Sequence, residues 1–316
     1  MSSHGDAANP VLVVGSVALD TVETPFGRVE NELGGAATYS AVAASFFAPV
    51  RMVAVVGEDF PAEHLGALAA RGVDLRGVER AEGLTFRWAG RYEGDMSQAH
   101  TLATHLNVFE RFQPVLPEAY RATPYLFLAN IDPGLQLNVL DQITEPRLVQ
   151  CDTMNYWITG RQERLLDVLR RCDVILMNDA EVCLLCEADS TIAAMRRLRD
   201  LLSATDAPRA IIVKKGEHGA LLLGRDGWFA APSYPVSEVR DPTGAGDVFA
   251  GALIGALARA GKHPDEGQLR RAIILGTVLA SFVVEDFGLR RLLRLRPEEI
   301  QARYRELARM TEFPVE

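Results

Sequence analysis

The sequence predicts an α/β protein: a mostly parallel central sheet with helices on both faces, and a small β-sheet set apart from it. Three observations carry this. From Tyr125 to Lys214 short apolar runs alternate with longer helical stretches, as repeated βα units do. A small-residue turn, Gly244-Ala245-Gly246, opens an uncharged apolar run from Val248 to Ala258. Two β-rich excursions, Val17–Leu33 and Leu84–Glu110, interrupt the first third of the chain.

Taken in order, Val11–Val14 is a buried strand ending in Gly15-Ser16, and Asp20 follows near its C-terminal end. Open α/β sheets place their ligands there. Thr21–Leu33, with Pro25, Gly27 and Asn31, reads as an exposed hairpin. Gly34-Gly35 opens a helix over Ala36–Phe47, Arg51–Gly57 is a strand, and Pro61–Arg71 is a helix with proline in its first turn. Thr85–Tyr92 and Thr101–Phe109 have strand composition, the first with arginines and aromatics interleaved. Strand and helix then alternate: Tyr125–Ala129, Leu135–Ile143, Arg147–Asp152, Gln162–Arg171 and Asp173–Met177, then helices over Ala180–Cys186 and Thr191–Leu202. A strand over Ala210–Lys214 precedes a hairpin, Ala220–Gly224 with Trp228–Ala231, turning at Arg225-Asp226-Gly227. Helices over Glu266–Val284 and Pro297–Met310 close the chain.

The 316 residues carry a net charge of −9, with 48% hydrophobic and 24% charged residues. This argues against nucleic acid or an anionic membrane as partner. Single-stranded nucleic acid on the Arg/aromatic strand is disfavoured for the same reason. The first ten residues lack the basic and apolar regions of a secretory signal, and the longest apolar runs fall short of a membrane span. Four cysteines read as reduced, structural thiols, Cys183-x-x-Cys186 included, so a cytoplasmic protein is expected.

The chemistry is concentrated in Asp241-Pro-Thr-Gly-Ala-Gly-Asp247. A glycine turn before a buried helix leaves backbone N–H groups free at the positive end of the helix dipole, a seat for phosphate. Asp247 beside that seat reads either as ordinary first-turn chemistry or as a general base. A base next to an anion seat is what phosphoryl transfer to an alcohol requires. Asn178-Asp-Ala-Glu181, directly after a strand, reads as a helix cap. Neither a Gly-x-x-x-x-Gly-Lys-Ser/Thr loop nor a Gly-x-Gly-x-x-Gly turn after the first strand occurs, which disfavours P-loop ATPases and dinucleotide dehydrogenases.

Asp241–Asp247 with the following Val-Phe-Ala-Gly resembles the signature of the ribokinase-like (PfkB) sugar and nucleoside kinases. Asp20, Gly34-Gly35 and Asn178-x-x-Glu181 match further motifs in the same order, over about residues 11–290. The resemblance implies a ribokinase-like fold. Residues 1–16, 34–83 and 111–316 would form the large α/β domain, and 17–33 with 84–110 a β-lid. It implies Gly244, Ala245 and Gly246 as anion hole and Asp247 as base. Asp20, Gly34 and Gly35 would hold the acceptor's hydroxyls. Asn178 and Glu181 would organise Mg²⁺ and the phosphates of ATP, with Glu181 on the metal side. Gly216 and Gly219 would form the nucleotide-side turn, with Lys214, Thr243 and Thr277 also on the donor side. Many relatives hold K⁺ near the positions of Arg240, Asp241 and the Glu285–Gly288 loop. Lids of this kind also form homodimers.

Two departures bear on the acceptor. Ala18 stands where sugar-specific relatives often have a polar residue, and Tyr39 where many have asparagine. An aromatic ring there would suit a nucleoside base or a larger sugar derivative. Arg87, Asn130 and Asp152 end strands or lie in the lid and are further candidate substrate contacts. The expected function is ATP-dependent phosphotransfer to a hydroxyl of a small sugar. A nucleoside kinase of the same fold, a non-turning-over sensor and a subunit role through the lid are the alternatives.

Overall fold

The computed structural model describes residues 9–96, 98–203, 210–261, 264–312 and 314. The chain begins β1 (Val11–Val14), β2 (Ala18–Thr24), β3 (Gly27–Gly34), α1 (Ala36–Ala44), β4 (Val50–Val56), α2 (Ala62–Ala70), β5 (Val73–Arg80), β6 (Arg87–Tyr92) and β7 (Ala99–His105). The βα alternation follows as α3 (Glu118–Arg121), β8 (Tyr125–Leu128), α4 (Pro133–Gln142), β9 (Leu148–Cys151), α5 (Asn155–Gly160), α6 (Gln162–Leu169), β10 (Val174–Asn178), α7 (Asp179–Cys186), α8 (Thr191–Leu202) and β11 (Ala210–Lys214). The rest is β12 (Ala220–Gly224), β13 (Gly227–Ala231), α9 (Ala245–Ala260), α10 (Glu266–Val283), α11 (Arg290–Arg294) and α12 (Pro297–Met310).

Sheet A has the order β13-β12-β11-β10-β9-β8-β1-β4-β5, parallel except at the β11-β12-β13 edge. The strands are apolar on both faces because both are covered. Val11 and Val13 face the core beneath α1, α9 and α10, whereas Leu12 and Val14 face the core shared with α4, α6, α7 and α8. A separate four-stranded sheet B has the order β3-β2-β6-β7, antiparallel except for the β2–β6 pair. The ribokinase-like α/β architecture expected from the sequence is therefore present.

Helices α1 and α9 pack backbone to backbone. A Cβ added at Gly251 would lie 2.1 Å from the Ser40 carbonyl oxygen, and one at Gly255 2.8 Å from that of Ala44. The Ser40 hydroxyl lies 2.7 Å from the Ala36 carbonyl and 3.0 Å from that of Asp247, tying the start of α9 to α1.

Some boundaries differ from expectation for local reasons. Helix α1 stops at Ala44 rather than Phe47, because Pro49 disfavours helical backbone just before it. Strand β7 ends at His105, and a 3₁₀ turn over Asn107–Arg111 replaces the expected extension to Phe109. Strand β5 and helices α5 and α11 were not legible. The β4–β5 register shifts between Arg51 and Val53, which breaks the alternation of β5, and the two helices are only six and five residues long.

Candidate active site

Gly244 precedes α9 with φ +75°, the left-handed region glycine favours. A Cβ there would also lie 2.5 Å from the Tyr39 ring. The Ala245 N–H donates to Pro242 O and the Val248 N–H to Gly244 O. Among the described residues the N–H groups of Gly246 and Asp247 find no acceptor. They open the sixteen-residue helix α9, so they form an anion seat at its positive end. The loop is held from below by Asp241, which is 1% exposed. Its two carboxylate oxygens accept from the N–H groups of Thr243 and Gly288, both at 2.9 Å. Both Asp241 carboxylate oxygens, near the position where many relatives hold K⁺, are thus engaged by the backbone.

The acceptor side meets this loop. Asp20 is buried on β2, opposite the end of β3. A Cβ at Gly34 would fall 1.9 Å from Asp20 Oδ2, so glycine is what admits the carboxylate. Gly35 has φ +92° and passes within 2.5 Å, measured from an added Cβ, of the Ser16 carbonyl. Burial first, then the charge of Asp241, pushes the Asp20 carboxyl up to about 7, with the Gly35 N–H pulling the other way.

The donor side comes from the C-terminal ends of β9, β10 and β11. Asn178 and Glu181 form a full capping box: Asn178 Oδ1 accepts from the Glu181 N–H at 2.7 Å, and Glu181 Oε2 accepts from the Asn178 N–H at 2.8 Å. The bland reading of this motif is therefore correct, and it leaves a buried carboxylate at the site. Burial, with Asp152 adding to it and Lys214 opposing it, raises Glu181 to about 7. Lys214 Nζ donates to Asp152 Oδ2 at 2.6 Å. Asp247 is half-buried, and burial, then Asp152, raise it to about 7 against the pull of Lys214. Burial alone would lower the Lys214 ammonium, but Asp152 and then Glu181 hold it above the ordinary lysine value.

The fold thus brings together Asp20, Gly34, Gly35, the 241–247 loop, Asp152, Glu181 and Lys214. Other sequence candidates lie differently. Tyr39 offers no face to an acceptor ring: it is 2% exposed, packed beneath Gly244. Asp152 is not a free acceptor contact, since Oδ2 is held by Lys214 and Oδ1 accepts from the Thr153 N–H at 2.9 Å. Arg87 pairs with Asp59 at 2.7 Å and with Asn31. Asn130 accepts from Trp157 Nε1 at 2.9 Å. Gly216 and Gly219 form the expected turn, with φ +54° and +82°. Thr277 is buried on α10, its hydroxyl donating to Ile273 O at 3.2 Å.

Sequence reasoning missed Trp88 and Tyr92. Trp88 stands opposite Asp20 across the β2–β6 pair, and Tyr92 shares its strand face. The Thr243 hydroxyl lies 3.2 Å from Tyr92 Oη, joining sheet B to the 241–247 loop. The Trp88 ring lies across Gly90, where a Cβ would come within 2.1 Å of it. The alternation Trp88-x-Gly90-x-Tyr92 was the available signal.

The chain is similar to known proteins over nearly its whole length. It is 28% identical over 285 residues to the cytidine kinase of Thermococcus kodakarensis, covering 88% of this chain and 97% of that protein. Its fold matches Burkholderia thailandensis nucleoside kinase in complex with inosine (TM-score 0.76, 22% identity, 94% and 96% of the two chains). It also matches an E. coli structure solved with ATP and Mg²⁺ (TM-score 0.76, 20% identity, 94% and 99%). No helix among the described residues is long and apolar enough to cross a membrane. The sequence pattern of the pfkB family carbohydrate kinases matches residues 9–294, and with the anion seat and its adjacent carboxylate in place the chain belongs to that family of ATP-dependent kinases.

Proposed function

We propose that this kinase transfers the γ-phosphoryl group of ATP to a primary hydroxyl of a sugar-containing acceptor, with Asp247 as general base. One observation carries the reading. A carboxylate whose proton affinity sits near neutrality stands in the first turn of a helix with two free N–H groups. A base poised near the working pH is the effective one. The same N–H groups fit the oxygens of a transferring phosphoryl group, and one such donor is worth about 10²–10³-fold in rate.

The residues present fit Mg-ATP. Glu181 would face the metal as a single carboxylate. Among the described residues no group of three His, Cys, Asp or Glu could hold an ion alone. That suits Mg²⁺, which keeps waters and phosphate oxygens as its other ligands. When bound, it neutralises charge on the donor phosphates. Asp20 would accept hydrogen bonds from the acceptor's other hydroxyls, and the Gly34-Gly35 backbone would seat them. Sheet B acts as the lid that excludes water, with Tyr92 meeting Thr243 at its inner end. Its edges, β3 and β7, are the surfaces for a homodimer, and an intracellular location follows from the reading.

A second reading narrows the acceptor to a nucleoside. Trp88 supports it. Its ring is half-buried, with one face on Gly90, and stands on the strand face shared with Asp20. Base–aromatic stacking is worth about 1–3 kcal/mol. Cytidine kinase as a relative supports it too.

The test is ADP release from Mg-ATP across pentoses, hexoses and nucleosides. Turnover with at least one class is expected. A protein stabilised by ATP that turns over none of them would return the sensor reading. With a nucleoside acceptor, Trp88→Ala should raise KM by about 10–100-fold with little change in kcat. An unchanged KM would sink the stacking role.

A further inference from the structure

We propose that Lys214 is a built-in cation of the phosphoryl seat and that Asp152 is the positioning residue that aims it. The inference rests on the reading that residues 244–247 receive the donor's terminal phosphate.

The geometry comes from three adjacent strands. Lys214 ends β11, Asp152 follows β9, and β10 between them ends at Asn178. Asp152 is fixed: its Oδ1 accepts from the Thr153 N–H and its carbonyl oxygen from Gln136 Nε2 at 3.1 Å. Its Oδ2 then holds Lys214 Nζ at 2.6 Å, with the two side chains 4% and 18% exposed. Nζ lies 3.2 Å from where a Cβ on Gly246 would stand, so the ammonium borders the turn whose N–H groups are free.

An ammonium has three donors. Asp152 takes one, and among the described residues Nζ makes no other hydrogen bond. The charged groups facing it are Asp152 after β9, Glu181 on α7 and Asp247 on α9. One cation among three carboxylates is a poor structural device, since a buried pair of this kind is often replaceable by apolar residues without loss. At the edge of an anion seat it has a use. Two free Nζ donors can meet equatorial oxygens of the γ-phosphoryl group, where charge is spread during transfer.

In that step the acceptor oxygen bonds to the γ-phosphorus as the bond to the β,γ-bridging oxygen breaks. The acceptor's proton passes to Asp247, and ADP departs with the bond's electron pair. Lys214 contacts the transferring group throughout without giving up a proton.

The experiment compares thermal stabilisation by Mg-ADP and by Mg-AMP-PNP in wild type, Lys214→Met and Lys214→Gln. Glutamine keeps a donor for Asp152 Oδ2 while removing the charge, so it covers the case in which methionine, by leaving a buried carboxylate unpaired, prevents folding. Wild type should gain several degrees more from AMP-PNP than from ADP. Lys214→Gln should gain equally from both, with its ADP shift unchanged. With a working acceptor, its kcat should fall about 100-fold or more. Asp152→Asn should lower kcat about 10-fold with KM for ATP within about 3-fold, since it loosens the aim and leaves the seat.

An AMP-PNP advantage that survives in Lys214→Gln overturns the role of Lys214 while the seat stands. A wild type with no AMP-PNP advantage overturns the seat and the proposal together. An unchanged kcat in Asp152→Asn overturns its positioning role.

Discussion

Asp247→Asn should lower kcat by about 10²–10⁴-fold, the range a general base contributes, while ATP still stabilises the protein. Two further consequences follow from its raised carboxyl. In wild type the base works only when ionised, so kcat should rise with pH through an acid limb near 7. The stability of the ligand-free protein should move oppositely. Asp247, Asp20 and Glu181 each titrate near 7 in the fold, chiefly through burial. Unfolded carboxylates titrate near 4. Between about pH 4 and 7 the folded protein therefore binds more protons than the unfolded chain. Their contribution is present in full below pH 4 and is lost as pH rises through 7. Asp247→Asn removes one of these groups and should raise the unfolding free energy at pH 8 by on the order of one to a few kcal/mol, read as a higher melting temperature. Melting curves and pH–rate profiles of both proteins check this. A variant less stable than wild type at pH 8, or a wild-type limb below pH 5, would contradict the assignment.

Gly251→Ala should be strongly destabilising although it adds a single methyl group. The added methyl would sit 2.1 Å from the Ser40 carbonyl oxygen and 2.6 Å from its Cα, both backbone, so no side chain can turn away. The α1 and α9 backbones must part. Overpacking of this kind costs about 1–3 kcal/mol, occasionally more, and a loss of about 1.5 °C per kcal/mol is expected for a chain of 316 residues. Activity should fall too, because α1 carries the Gly34-Gly35 end and α9 carries Asp247. Gly66→Ala is the control: it too lies inside a helix, but nothing lies within 4 Å of an added Cβ. Equal melting temperatures for the two variants would refute the packing argument.

Most of the fold was legible because strands buried on both faces and uncharged helices leave continuous apolar runs, as in Val11–Val14 and Val248–Ala258. The 241–247 loop was legible because its features are local: a turn, a helix start and one carboxylate within seven residues. What failed was distance in the chain. Tyr39 was placed by its offset from Gly35, but whether a ring faces a ligand or a glycine depends on Gly244, two hundred residues away. Lys214 was left between phosphate contact and solvated surface, and Asp152 was taken for an acceptor contact. Their pairing exists only because β9 and β11 flank β10. Asn178 and Glu181 carried two readings that proved compatible, since a capping box fixes the carboxylate that a metal would use.

The residues proposed for acceptor recognition and those proposed for phosphoryl chemistry occupy different stretches of the chain. Asp20, Gly34, Gly35, Trp88 and Tyr92 all precede residue 100, whereas Asp152, Glu181, Lys214 and Asp247 all follow residue 150. The two halves meet at the Tyr92–Thr243 contact and at the α1–α9 seam. On that reading, retargeting the kinase is a problem of small libraries: diversity confined to residues 18–33 and 87–91 should vary what is phosphorylated while keeping the Tyr92–Thr243 contact to the 241–247 loop.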